Sequence, residues 1–185
     1  PLLRELQLRA PGTYHHSVVV GNLAERAASA IGADAVLARV AAYYHDVGKL
    51  VRPYFFVENQ LGGLSPHDGL APEESARVIL SHVDEGIALA RRHRLPEAVV
   101  DAIRQHHGTT RVEYFLRAAQ ETDGAGAVDV ARFTYPGPPP TSRETAILML
   151  ADGSEASVRA VAPKSRDEIE AIVARTIRAR LSDGQ

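Results

Sequence analysis

The chain has 185 residues, 45% of them hydrophobic and 24% charged, which suits one soluble globular domain and excludes general disorder. Its formal charge of −2 gives no electrostatic sign of a nucleic acid polymer or an anionic membrane as partner. Cysteine is absent, so disulfides, thiolate nucleophiles and cysteine-based metal sites are excluded. A metal site must therefore use imidazole and carboxylate, and eight histidines are available for it.

Apolar residues recur with helical periodicity along most of the chain, which predicts an all-α bundle of about seven or eight helices in a single domain spanning 1–185. Thr13 is expected to cap the second helix and Gly32 to end it. The predicted helices cover about 2–9, 13–31, 33–45, 72–93, 96–107, 109–120, 142–161 and 165–181.

Two segments interrupt this pattern. Residues 51–72 combine several prolines and glycines with three adjacent aromatic residues, which predicts one long ordered loop, and a loop of this length is usually functional. Residues 121–141 are rich in glycine and proline, and we expect a flexible loop there.

Five of the predicted helices each turn a histidine or an aspartate toward the interior. Asp152 is the most telling, because it follows Leu148 and Met149 on an apolar stripe, and an ionised carboxylate is costly to bury unless it is paired or metal-bound. A single inward histidine is ordinarily a hydrogen-bonded core residue, but five such positions together favour a metal site. The inward positions are His16, His45, His82, His106 and Asp152.

Asp46 follows His45 directly, and no inward lysine or arginine is evident to neutralise Asp46 and Asp152. Imidazole and carboxylate suit Mn, Fe, Zn, Co or Ni. A structural zinc site is an alternative, although six or seven ligands exceed the four of a closed tetrahedral site. So many ligands favour two metals, with Asp46 as the bridge, and two adjacent metals favour hydrolysis of a phosphoryl ester.

His16-Ser17, His45-Asp46 and Leu150-Ala151-Asp152 resemble the motifs of the HD-domain metal-dependent phosphohydrolase superfamily. Longer strings between Leu2 and Arg159 resemble the cytoplasmic HD domains of the PgpH type of seven-transmembrane cyclic di-AMP phosphodiesterases. These strings are Pro11-Gly12-Thr13-Tyr14-His15-His16-Ser17, Tyr43-Tyr44-His45-Asp46-Val47-Gly48-Lys49-Leu50, Phe56-Val57-Glu58-Asn59-Gln60, Ser81-His82-Val83, Gln105-His106-His107-Gly108-Thr109-Thr110 and Tyr135-Pro136-Gly137-Pro138.

The resemblance implies an HD-fold phosphodiesterase that hydrolyses cyclic di-AMP to pApA with a hydroxide activated by two divalent metals, Mn or Fe. It also implies a cytoplasmic domain cut from a longer protein of the cell membrane. Related cyclic di-GMP enzymes carry Gly-Tyr-Pro where this chain has Gly108-Thr109-Thr110, which disfavours cyclic di-GMP. The implied ligands are His16, His45, Asp46 and Asp152 for one metal, and Asp46, His82, His106 and His107 for the other.

Asp46 and Lys49 are the expected catalytic residues. Lys49 is predicted to hold a phosphate oxygen, although a lysine after a helix end also favours the helix dipole. Tyr54 and Phe55, with the adjacent Phe56, are candidates to stack adenine, or else to form a small core within the loop. Three histidines are not expected to be ligands. His15 is predicted behind the ligands or at the surface, His67 in a turn flanked by proline and glycine, and His93 in solvent near a helix end.

Two other functions stay open from the sequence. One is an HD phosphohydrolase acting on another substrate, such as cyclic di-GMP, pApA or a mononucleotide. The other is a sensor domain that binds a cyclic dinucleotide without cleaving it.

Overall fold

Nine α-helices make up most of the chain in the computed structural model, which describes residues 1–60, 62, 64–124 and 126–185. Within these residues there is no β-strand, and the one β-bridge is an isolated antiparallel bridge between Arg111 and Thr134. The all-α prediction is therefore confirmed. In the described ranges, no helix has both the length and the apolar character needed to cross a membrane. The helices are α1 (Leu2–Arg9), α2 (Pro11–Ile31), α3 (Ala35–Tyr44), α4 (Pro72–Leu80), α5 (His82–Arg92), α6 (Glu97–Gln105), α7 (Glu113–Asp123), α8 (Arg143–Val161) and α9 (Arg166–Ser182).

Side-chain caps fix several of the helix starts. Asp34, Ser142 and Ser165 each accept a hydrogen bond from the backbone N–H three residues further on, at the beginning of α3, α8 and α9. Gly32 ends α2 with φ +68°, as predicted. Thr13 is not a cap, because α2 already begins at Pro11 and Thr13 lies inside its first turn.

The predicted helix over 72–93 is two helices, α4 and α5, separated at Ser81. The hydroxyl of Ser81 donates to the carbonyl of Val78 (2.8 Å), and Nδ1 of His82 lies 2.6 Å from the carbonyl oxygen of Ile79. These side chains satisfy two of the last carbonyls of α4, where the helix ends. The break explains why there is one helix more than predicted.

The buried face of α2 is rotated from the predicted one. Helical spacing from His16 predicts Leu23, Ala27 and Ala30 on the same inward face. His16 is buried as expected, but the other three residues are exposed. Apart from His16, the buried side chains of α2 are small, which lets α3 and α8 approach closely around an alanine-rich core. They are Thr13, His16, Ser17, Val20, Gly21, Ala24 and Ala28.

Gly48 sets the distance between α5 and the short 3₁₀ turn Val47–Val51 that follows α3. A Cβ atom at Gly48 would lie 1.8 Å from the carbonyl oxygen of His82 and 2.6 Å from the backbone nitrogen of Gly86. Only glycine permits this backbone contact. It brings the His45-Asp46 pair against the first turn of α5.

The loop predicted over 51–72 contains two further 3₁₀ turns, Pro53–Phe55 and Val57–Asn59. Asn59 is buried and ties this loop to α2, because its side-chain amide donates to the Thr13 hydroxyl (2.8 Å) and its oxygen accepts from the Thr13 N–H (3.1 Å). Leu61 and Gly63 of this loop lie outside the described residues.

In the segment 121–141, α7 extends to Asp123 and a 3₁₀ turn covers Val130–Phe133. Phe133 is fully buried and Tyr135 is 7% exposed. These two rings anchor the second half of the segment, Ala125 lies outside the described residues, and the flexibility of the segment stays a prediction.

Candidate metal centre

The seven side chains predicted as metal ligands converge in the interior of the bundle. Their possible ligand atoms form two groups, and within each group the atoms lie within 4.8 Å of one another. One group consists of His16, His45 and Asp152, and the other of Asp46, His82, His106 and His107.

Asp46 lies between the two groups. Its Oδ2 is 3.2 Å from Nε2 of His45 and 3.8 Å from Nε2 of His16. Its Oδ1 is 3.3 Å from Nε2 of His82 and 3.7 Å from Nε2 of His106. Each carboxylate oxygen therefore faces a different group, which is the arrangement that a bridging ligand needs.

Helix ends orient three of the histidines. Nδ1 of His45, His82 and His106 lies 2.7, 2.6 and 2.8 Å from the carbonyl oxygen of the residue three positions earlier. Each of these histidines comes directly after the end of a helix or one residue beyond it, where the last carbonyls lack a helical partner. Because a carbonyl can only accept, each Nδ1 carries the proton, and in the neutral ring the lone pair of Nε2 points into the centre.

This orientation leaves lone pairs facing one another. Nε2 of His82 and Nε2 of His106 are 3.3 Å apart, and neither can donate while its Nδ1 holds the proton. Nε2 of His45 and Oδ1 of Asp46 are buried without a hydrogen-bond partner among the described residues. These converging buried atoms are all acceptors when the imidazoles are neutral, and in that state they fit a bound cation.

Without a cation, burial and neighbouring charges shift the pKa values of the histidines in the centre in opposite directions. Burial lowers the pKa of His45, but the negative charges of Asp46 and Asp152 outweigh it and raise the pKa to about 10. Burial and the positive charge of His45 lower the pKa of His106 to about 3. Burial works against ionisation of Asp46, yet His45 and Lys49 hold its pKa well below the usual range. In the metal-free centre, His45 is therefore protonated on both ring nitrogens, whereas His106 is neutral.

Glu155 orients the fourth histidine and was missed by the sequence analysis. His16 lies in the middle of α2, where the carbonyls are engaged in the helix, and its Nδ1 is instead 2.5 Å from Oε2 of Glu155. Nε2 of His16 then faces Oδ1 of Asp152 at 3.0 Å. The available signal was the spacing of three between Asp152 and Glu155, which places both carboxylates on one face of α8.

Lys49 is at the edge of the centre, with its side chain 13% exposed. Its ammonium group donates to Oδ2 of Asp46 (2.7 Å) and to Oε1 of Glu58 (2.8 Å). Glu58 also accepts from the Thr13 hydroxyl (3.0 Å), and burial and Lys49 act in opposite directions on its pKa, with the net effect of lowering it. Glu58 is a second residue that the sequence does not single out, because Glu58 and Lys49 lie in two different 3₁₀ turns after α3.

His107 is the most exposed of the seven predicted ligands, with 23% of its side chain accessible. Its ring stacks on Tyr135, with centroids 4.2 Å apart and planes at 25°, and its Nδ1 is 4.0 Å from Oδ2 of Asp152. His107 thus lies where the centre opens toward the surface.

The remaining predicted residues are near the centre or away from it. Tyr54 is 62% exposed, whereas Phe55 is half-buried and packs against His67. His15 is exposed as expected. His67 lies in a turn, as predicted, but it is half-buried, and so is His93, which was expected to be solvated.

Comparison with known proteins identifies the family. The HD-domain family model matches residues 13–157, a range that contains all seven converging side chains. The chain belongs to the HD-domain family.

Within this family the chain is similar to the PgpH proteins. It is 45% identical to the cyclic-di-AMP phosphodiesterases PgpH of Listeria monocytogenes and of Bacillus subtilis, over the whole of this chain but only 26% of the length of each relative. The crystal structure of the L. monocytogenes PgpH HD domain in complex with cyclic-di-AMP matches with a TM-score of 0.96 and 45% identity, covering 100% of this chain and 86% of that chain.

Proposed function

We propose that this chain hydrolyses cyclic di-AMP to pApA at a centre of two divalent metals. The observation that carries the proposal is the position of Asp46, whose two carboxylate oxygens face two separate groups of buried ligand atoms. The similarity to PgpH domains, one of them crystallised with cyclic-di-AMP, supports the choice of substrate.

In this proposal the first metal is held by His16, His45, Asp46 and Asp152, and the second by Asp46, His82, His106 and His107. When bound, the metals supply Lewis acidity that activates water and neutralises negative charge on the phosphate. Manganese and iron suit this mixed set of imidazoles and carboxylates, and we propose them as the natural metals.

The chain's own groups have distinct tasks. Asp46 holds the two groups of ligands at a fixed separation through its buried carboxylate. Lys49 places an ammonium group beside Asp46 at the edge of the centre, where it can hold a nonbridging phosphate oxygen of the substrate. Glu58 keeps Lys49 at this edge of the centre through their 2.8 Å contact. Tyr54 and Phe55 remain proposed contacts of the bases.

The two alternative functions make different predictions from the same centre. A sensor domain would bind cyclic di-AMP without needing seven convergent ligands, and the buried acceptors without partners favour the enzyme. An HD phosphohydrolase with another substrate would share the metal centre and differ only in what it cleaves.

We further propose that the chain functions as the cytoplasmic part of a longer membrane protein, as the similarity to PgpH implies.

The test compares His16→Ala with His15→Ala. The two histidines are adjacent, but His16 is buried in the centre and His15 is exposed. We expect His16→Ala to lose bound metal and nearly all turnover of cyclic di-AMP in the presence of Mn or Fe, while His15→Ala retains both. Elemental analysis counts the metal, and chromatography identifies pApA as product.

About two equivalents of Mn or Fe in the unaltered protein and cleavage of cyclic di-AMP over cyclic di-GMP support the proposal. One tightly held zinc, or binding of cyclic di-AMP without any cleavage under every metal condition, contradicts it.

A further inference from the structure

The ring of His107 is held differently from the rings of the other four histidines in the metal centre. Each of those four has a ring nitrogen 2.5–2.8 Å from a protein oxygen, which is a backbone carbonyl for three of them and a carboxylate oxygen of Glu155 for His16. No hydrogen bond between described residues reaches the ring of His107, whose Nδ1 lies 4.0 Å from Oδ2 of Asp152. Because the χ2 torsion of histidine is broad, another contact must fix the plane of this ring.

Tyr135 provides a flat face for His107. The two ring centroids are 4.2 Å apart, and the ring planes make an angle of 25°. A nearly parallel neighbour restricts rotation about χ2, because the edge of the imidazole would turn into the phenol ring. The same phenol ring meets His82 edge-on, with centroids 6.0 Å apart. In the described part of the chain, the aromatic contacts of Tyr135 therefore reach only members of the group that holds the proposed second metal.

The backbone of Tyr135 is tied to the turn that carries His107. The N–H of Tyr135 donates to the carbonyl of Thr110 (2.9 Å), and the hydroxyl of Thr110 donates to the carbonyl of His107 (2.7 Å). A single residue thus connects the two backbones through hydrogen bonds, so the two rings keep the same relative position.

The residues on either side of Tyr135 are anchored as well. The ring of Phe133 is fully buried in a small core with residues of α4 and α7. Gly137 has φ +76°, and a Cβ atom there would lie 2.9 Å from Cγ2 of Thr109. Only glycine allows the chain to pass so close to this turn. The position of the Tyr135 ring is therefore set by the whole segment 133–137 rather than by the ring alone.

We propose that Tyr135 is a positioning residue for the second metal, and that it acts through His107. Its ring face keeps the imidazole in the orientation that brings one ring nitrogen within 4.8 Å of the ligand atoms of Asp46, His82 and His106. The proposal rests on the two-metal centre of the proposed function and not on the choice of substrate. Because the contact is made by the ring, we expect phenylalanine to replace tyrosine here and an aliphatic side chain to fail.

The test measures the affinity of both metal equivalents in Tyr135→Leu and Tyr135→Phe, by competition for Mn against a chelator of known affinity. His107→Ala identifies the equivalent that this group holds. Leucine keeps an apolar side chain in the buried site but removes the flat face. We expect Tyr135→Leu to weaken that equivalent about tenfold and to change the other less than twofold, because residues that orient a ligand contribute about ten- to a hundredfold to metal affinity. Tyr135→Phe should change neither equivalent more than about twofold.

Phe133→Leu is the matched control, because it removes another buried ring of the same segment, one that packs in the core with α4 and α7. It should leave both equivalents unchanged, and urea titrations compare the free energy of unfolding of all variants. Tyr135→Met, which also lacks a flat ring, replaces Tyr135→Leu if that variant does not fold. Equal weakening in Phe133→Leu, unchanged affinity in Tyr135→Leu, or a tenfold loss in Tyr135→Phe overturns the proposal.

Metal affinity is measured without turnover, so this proposal and the proposed function can fail separately. A protein that binds two equivalents of Mn without cleaving cyclic di-AMP contradicts the enzyme, while the Tyr135 variants still decide the role of Tyr135. A single equivalent of Mn in the unaltered protein overturns both.

Discussion

Replacing Glu155 should weaken metal binding at the group that contains His16. The hydrogen bond between Glu155 and Nδ1 of His16 is charge-assisted, and such bonds contribute about 1.5–3 kcal/mol. The Glu155 side chain is 12% exposed and also binds the half-exposed Arg159, so we take the lower part of that range, about 1.5–2 kcal/mol. Glu155→Ala should therefore lower metal affinity roughly ten- to thirtyfold, and Glu155→Gln, which keeps a neutral acceptor, about fivefold.

The assay is competition for Mn against a chelator of known affinity, at about pH 8.5 so that protons compete less for the imidazole. Glu170→Gln is the matched control, because Glu170 pairs with Arg166 on the exposed face of α9 and should leave metal affinity unchanged. If Glu155→Ala binds two equivalents as tightly as the unaltered protein, the imidazole of His16 does not need its carboxylate partner and the reasoning fails.

Three further predictions concern the charge and packing of the centre. Lys49→Met should lower kcat/KM for cyclic di-AMP about a hundredfold in steady-state assays, and a change below twofold would contradict its contact with phosphate. At about pH 7, metal binding should release at least one proton, because the metal-free pKa of His45 is about 10 and that of His16, which burial lowers, is raised overall by its carboxylate partners. The release from His45 should disappear as pH rises through about 10; calorimetry in buffers of different ionisation enthalpy measures it, and no release at neutral pH would refute it. Gly48→Ala should lower the free energy of unfolding by about 3 kcal/mol in urea titrations, because its Cβ would meet the carbonyl of His82, whereas Gly69→Ala, with open space around it, should change it little.

Much of the centre can be predicted from the sequence because its ligands lie on periodic helices. Asp152 follows Leu148 and Met149 on the buried stripe of α8, and the local pattern alone turns its carboxylate inward. His45 and Asp46 end a predicted helix in the same way. The burial of these positions, which periodicity encodes, is confirmed by the structure.

The missed residues have partners far away in the sequence. Glu155 meets His16 across 139 positions. Its spacing of three from Asp152 is a weak signal, because the same local pattern also suits an exposed glutamate that pairs with Arg159 four residues later. The turn that contains His67 could be predicted from its proline and glycine, but the burial of His67 comes from Phe115 on α7, a contact between separate elements. The predicted buried face of α2 is wrong because it followed the large apolar Leu23, which is exposed. The face that is buried consists mostly of small residues, which give a weaker periodic signal.

The ends of the helices explain how a cluster of histidines whose Nε2 atoms face one another is held in place. His45, His82 and His106 each place Nδ1 against a backbone carbonyl, so the fold itself sets their tautomer and aims Nε2 at the centre. Substitutions of neighbouring side chains should therefore leave these three ligands oriented. His16 differs from these three because its Nδ1 partner is a side chain, that of Glu155. Substitution of Glu155 can therefore disturb the orientation of a proposed metal ligand from near the surface.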